Sequence, residues 1–239
     1  MKWLNRLLNK EEEKPILYCV HGFGARRTHE YNTLKLYYEN LGYQVVIPEI
    51  FNQSQLDDIN SMQWLNRIEQ PLVDLLANNK QIWLVGFSMG GVIAAYLAAK
   101  YKVDRLVLLA PAFEYITVKA ILETVEGVAR QIIKRPEIVS SDYPPLPETF
   151  TNTFKEIIYT CKESIKKVNC PVLIFHGTED TTIPLRSSDY AYDSIYHMNK
   201  RLFILKGVSH RILDAHAVNK DVLKIMHEFF LNNIINQSN

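Results

Sequence analysis

Short runs of uninterrupted apolar residues, each followed by a stretch with helical spacing, recur along this chain and leave few folds open to it. The runs are residues 16–20, 45–47, 82–85, 106–109, 172–175 and 202–205. A strand wetted on one face alternates apolar and polar side chains, whereas an unbroken apolar run reads as a strand covered on both faces. Helical spacing fills residues 28–41, where Gly42 can end a helix. It also fills residues 59–77, interrupted or started afresh at Pro71, then the Ala-rich 92–101 and the closing 215–231. Strand and helix in alternation predict an α/β fold: a mostly parallel sheet of about six strands with helices on both faces.

The alternation breaks between residues 113 and 168. Val118, Ile121, Leu122, Val125, Val128 and Ile132 recur at helical spacing, and so do Phe154, Ile157, Ile158, Cys161, Ile165 and Val168. Between them lie Pro136, Pro144, Pro145 and Pro147, which a helix interior does not tolerate. Two helices joined by a stiff loop are expected. They form a cap insertion, 113–168, within a single domain spanning 1–239. Their apolar faces either line a pocket, with Ile121 and Ile157 as trial positions, or bury against each other and the sheet.

Composition removes several function classes. With 239 residues, 47% of them hydrophobic, the chain can bury a sizeable core and needs neither disulfide nor metal staple. A net charge of +1 with scattered basic residues argues against a nucleic-acid partner. The three cysteines, Cys19, Cys161 and Cys170, include no C-x-x-C pair, so neither a disulfide framework nor a zinc site is expected. That places the chain in a reducing compartment, the cytoplasm. No stretch reaches the length of a membrane span, and membrane association is not expected. Trp3, Leu4, Leu7 and Leu8 share one face of a short N-terminal turn. It reads as a turn docked on the domain or as a weak interfacial anchor.

The chemistry centres on Gly86-Phe87-Ser88-Met89-Gly90, a G-x-S-x-G pattern between an apolar run and an Ala-rich helix. A serine on such a sharp strand-to-helix turn is held in strained geometry, and small neighbours let the chain pass close by. The alternative is a helix-capping serine among packing glycines. A serine hydroxyl is a poor nucleophile at neutral pH and needs a base, which needs an orienting acid. Of seven histidines, His210 lies in a loop just past the run 202–205, at the sheet edge that also carries Ser88. His176 ends a strand, His216 and His227 fall in the final helix, and His29 and His197 fall in or near helices. The acid is expected between serine and histidine in chain order. Asp180 occupies a loop after the run 172–175, with Glu179 as its main rival; Asp142 and Asp189 fit less well. The oxyanion of an acyl-transfer intermediate needs two backbone donors. Met89, just after the nucleophile, supplies one, and Phe23, flanked by Gly22 and Gly24, supplies the other.

The motifs H-G-F-G, G-F-S-M-G-G, H-G-T-E-D-x-x-I-P and G-x-S-H, in that order, resemble the α/β-hydrolase superfamily. The resemblance runs from Ile16 to the C-terminal helix and is strongest to small bacterial carboxylesterases and monoacylglycerol-lipase-like enzymes. It implies a carboxylic ester hydrolase acting through an acyl-enzyme on a small ester with an apolar acyl chain. The catalytic residues would be Ser88, Asp180 and His210, the oxyanion hole would be Phe23 and Met89, and no metal or cofactor is implied. A thioesterase, lysophospholipase or peptidase could use the same residues, and a ligand-binding protein without turnover is a rival from another class. The family's first two strands are lacking, so a minimal six-stranded sheet is expected, and the segment after residues 45–47 is short and rich in Asn and Gln. Oligomeric state and natural substrate are left open by the sequence.

Overall fold

A computed structural model describes residues 13–24, 26–78, 80–114 and 146–233. The N-terminal apolar turn and the expected helix over 118–132 lie outside the described residues. Each expected strand is present: β1 (Ile16–Val20), β2 (Val45–Val46), β3 (Ile82–Phe87), β4 (Arg105–Leu109), β5 (Val172–Gly177) and β6 (Lys200–Leu205). They form one six-stranded sheet in the order β2-β1-β3-β4-β5-β6, with every pairing parallel.

The unbroken apolar runs of the inner strands β1, β3, β4 and β5 follow from cover on both faces, while the edge strands β2 and β6 are only partly buried. Along β4, Leu106 and Leu108 join one core while Val107 and Leu109 join the other. The first core lies under α2 (Ser61–Ala77), α3 (Met89–Lys100) and α4 (Phe150–Cys161). The second lies under α1 (Asn32–Asn40) and α6 (Asn219–Phe230). Helix α5 (Arg186–Ser194) connects β5 to β6. α3 is buried along nearly its whole length, which explains its Gly- and Ala-rich sequence: larger side chains would hold it away from the sheet.

Four boundaries depart from the sequence reading. The expected helix over 28–41 splits into a short 3-10 turn, Arg27–Tyr31, and α1. α2 runs unbroken through Pro71. An internal proline costs about 3 kcal/mol, but Trp64, Leu65, Ile68 and Leu72 are all buried on this helix, and their packing outweighs that cost. The closing helix starts at Asn219 and not near residue 215, so His216 sits in the turn before it. The helical spacing from Phe154 to Val168 resolves into α4 followed by a 3-10 turn, Lys162–Lys167. Its apolar positions face the body of the protein: Phe154, Ile157, Ile158, Cys161 and Ile165 are buried in the first core. Ile157, a trial position for a pocket wall, is fully buried and belongs to that core. Ile121 lies outside the described residues.

All three cysteines are free and buried. No described helix is long and apolar enough to cross a membrane.

Candidate active site

In a parallel sheet of this order, successive connections leave β1 and β3 toward opposite sides. The crevice at their carboxyl ends is therefore the topological switch point, where ligands bind in open α/β sheets. β1 ends there in His21-Gly22-Phe23-Gly24, and β3 ends there in Phe87-Ser88.

Ser88 joins β3 to α3 with φ +54° and ψ −121°. That conformation costs a residue with a side chain about 1–3 kcal/mol, and hydrogen bonds hold it in place. The Ser88 amide donates to the Leu109 carbonyl (3.0 Å), and the Ser88 carbonyl accepts from the Gly91 and Ala112 amides (2.9 and 3.1 Å). The glycines around it are steric requirements. A Cβ on Gly86 would lie 2.4 Å from the Gly90 carbonyl oxygen, and one on Gly90 would lie 2.0 Å from that of Val20. The turn is thus pressed between β1 and β4, and Ser88 is left 7% exposed.

The loops after β5 and β6 bring Asp180 and His210 together. His210 Nδ1 lies 2.6 Å from Asp180 Oδ2. The other carboxylate oxygen accepts the Thr182 and Ile183 amides at 2.9 and 2.8 Å. With its side chain 1% exposed, Asp180 is paired through both oxygens, as a buried carboxylate must be. Its rival Glu179 is exposed, and Asp189 is exposed on α5; Asp142 lies outside the described residues. Gly177 makes the meeting possible, because a Cβ there would lie 2.0 Å from the Val208 carbonyl oxygen. Gly207, with φ +74°, turns the chain after β6 toward His210. The His210 ring packs 4.8 Å from that of Phe87, the residue before Ser88.

His176 is fully buried and takes a supporting place. Its Nε2 faces the Ile183 carbonyl (3.0 Å), so Nε2 carries the proton and Nδ1 accepts from the Ser188 hydroxyl (2.7 Å). Burial holds its pKa below the usual histidine value. With both nitrogens engaged it cannot serve as a base; it braces the Asp180 loop instead.

The two expected oxyanion donors flank Ser88. Met89 is the first residue of α3, where amides lack intrahelical partners and the helix dipole favours negative charge. The Gly22–Gly24 loop lies against the turn, since a Cβ on Gly22 would sit 3.1 Å from Ser88 Cβ. The Phe23 ring packs 5.0 Å from Phe154 of α4 and stacks at 6.5 Å on Trp64.

Two residues of this loop system went unnoticed in the sequence. His21 is fully buried; its Nε2 accepts the Ile50 amide (3.0 Å), so its Nδ1 donates to the Gly22 carbonyl (2.9 Å). Desolvation lowers its pKa to about 4, which keeps this neutral tautomer in place. Its position in H-G-F-G was the available signal. Glu30 accepts the Gly22 amide (3.0 Å), and no local pattern marked it.

With this geometry in view, residues 15–134 match the family described as alpha/beta hydrolase fold, and the chain belongs to that family. It is 27% identical to monoacylglycerol lipase ABHD6 of Mus musculus, over 84% of this chain and 71% of that protein. It is 22% identical to the thermostable monoacylglycerol lipase of Bacillus sp. (strain H-257), over 80% of each. Among solved structures, the Paleococcus ferrophilus monoacylglycerol lipase superposes with a TM-score of 0.71, covering 92% of this chain and 95% of that one. At 16% identity that likeness speaks for the fold alone.

Proposed function

We propose that this protein is a carboxylic ester hydrolase that works through an acyl-enzyme on Ser88. The observation that carries the reading is the closed Asp180–His210 pair beside a strained serine at the switch point. Ser88 Oγ attacks the ester carbonyl carbon and passes its proton to His210 Nε2. Asp180, bonded to Nδ1, fixes that tautomer and stabilises the imidazolium. The carbonyl oxygen becomes an oxyanion and accepts from the Phe23 and Met89 amides. Collapse breaks the ester C–O bond, and His210 returns the proton to the leaving alcohol. Water then repeats the sequence on the acyl-enzyme, with His210 as base, and frees the acid.

A small ester with an apolar acyl chain suits the site, for two reasons. The relatives matched over most of the chain are named monoacylglycerol lipases. The oxyanion loop also borders an aromatic wall of Phe23, Phe51, Trp64, Phe150 and Phe154. The insertion 113–168 contributes Phe150 and Phe154 to that wall through α4, and both are buried in the first core. The three free, buried thiols fit work in a reducing cytoplasm.

Turnover of p-nitrophenyl esters from acetate to decanoate, and of 1-monoacylglycerols, tests the reading. The protein should cleave both, and Ser88→Ala should lose on the order of 10⁶-fold in kcat, as when a triad nucleophile is removed. A Ser88→Ala protein that keeps its turnover refutes the assignment.

A further inference from the structure

We propose that Glu30 is a positioning residue for the oxyanion hole: its carboxylate holds the Gly22 amide and so aims the Phe23 N–H at the carbonyl oxygen of the substrate. The inference rests on the hydrolase reading above and adds a residue that reading does not use.

Glu30 Oε2 accepts the Gly22 amide at 3.0 Å. Its other oxygen, Oε1, would lie 3.5 Å from a Cβ on Gly24. The carboxyl group therefore spans the Gly22–Gly24 loop, with the Phe23 peptide between its two points of contact. The next residue, Tyr31, ties the same segment to the strand end, its hydroxyl donating to the Val20 carbonyl (2.9 Å). The Gly22 carbonyl and the Phe23 N–H belong to one planar trans peptide, so fixing one end fixes the direction of the other. His21 fixes the carbonyl end and Glu30 fixes the residue's own amide. Gly22 is left with no rotational freedom, although a glycine at this place would otherwise have more than any other residue.

A glutamate here needs a reason beyond surface solubility. Burial lifts its carboxyl to about 7, so the site holds this group at a cost in desolvation. Both the ionised and the neutral form can accept the Gly22 N–H. The acceptor, and not the charge, is what the loop requires.

The test compares Glu30→Ala with Glu30→Gln, whose amide oxygen keeps the acceptor. An oxyanion donor displaced by a fraction of an ångström loses transition-state stabilisation but little substrate binding. Glu30→Ala should lower kcat for p-nitrophenyl butyrate by about 10- to 100-fold with KM nearly unchanged. Affinity for a trifluoromethyl ketone, whose adduct carries the oxyanion, should fall in parallel. Glu30→Gln should recover both to within about threefold of the parent. Should Glu30→Ala fail to fold, Glu30→Asp withdraws the carboxylate by one methylene and should lose kcat where Glu30→Gln does not. The role of Glu30 is overturned by wild-type kcat in Glu30→Ala, by ketone affinity unchanged while kcat falls, or by Glu30→Gln as poor as Glu30→Ala. A parent protein that cleaves no ester overturns the hydrolase reading itself, whereas an active parent with indifferent Glu30 variants overturns only the positioning role.

Discussion

Asp180 and Glu179 are neighbours with the same chemistry, and only one can orient His210. Asp180 is enclosed, holds two backbone amides with one oxygen and meets His210 with the other; Glu179 points to solvent. Asp180→Asn keeps the size and an acceptor for the amides but can present an N–H to His210 and stabilise the wrong tautomer. It should lower kcat on the order of 10³- to 10⁴-fold, whereas Glu179→Gln should leave kcat unchanged. Comparable losses in both variants, measured on one ester, would contradict the assignment. The place of Asp180 beside His210 was legible in the sequence because its loop precedes Pro184 at the same sheet edge. Glu30 and His21 were not legible, because each acts across a loop closure: Glu30 reaches back eight residues to Gly22, and His21 meets Ile50 from another connection. Local spacing carries no trace of such contacts.

At the scale of elements, the inner strands β1, β3, β4 and β5 were readable because burial on both faces leaves an almost unbroken apolar run, whereas the edge strands β2 and β6 are only partly buried and β6 opens with Lys200 and Arg201. Helix ends were less readable. Propensity favours a break at Pro71, and only the packing of Trp64, Ile68 and Leu72 carries α2 through it. Likewise the spacing from Phe154 to Ile165 revealed a helix with an apolar face but not what that face met. It meets the body of the protein, which makes Ile157 a core residue. The glycines separate the two ways an element can depend on a missing side chain. Gly90 sits where β1 and α3 touch, and a Cβ there would lie 2.0 Å from the Val20 carbonyl oxygen and 2.4 Å from that of His21. Gly207 has φ +74° and open space around its Cβ position. Gly207→Ala should cost about 1–2 kcal/mol, the left-handed backbone penalty alone. Gly90→Ala must push α3 off the sheet and should cost several times that or prevent folding. Thermal melts compare them, and equal losses in Tm would contradict the packing described for the turn.

Over the whole molecule, a six-stranded parallel sheet gathers residues from four distant stretches at one edge: the loop after β1, the turn after β3, and the loops after β5 and β6. Chain order and strand ends were enough to place Ser88, Asp180 and His210 there from the sequence, because in such a sheet every strand's carboxyl end points the same way. The aromatic cluster beside the oxyanion loop was not legible, since Phe23 after β1, Phe51 before α2, Trp64 on α2 and Phe154 on α4 meet only through the tertiary packing. The central claim is that this edge makes one serine nucleophilic. Labelling the native protein with a fluorophosphonate and mapping the adduct by mass spectrometry tests it most directly. A single adduct on Ser88, abolished by His210→Ala, is the predicted result; an adduct on another serine, or an unlabelled protein that still cleaves esters, would contradict it.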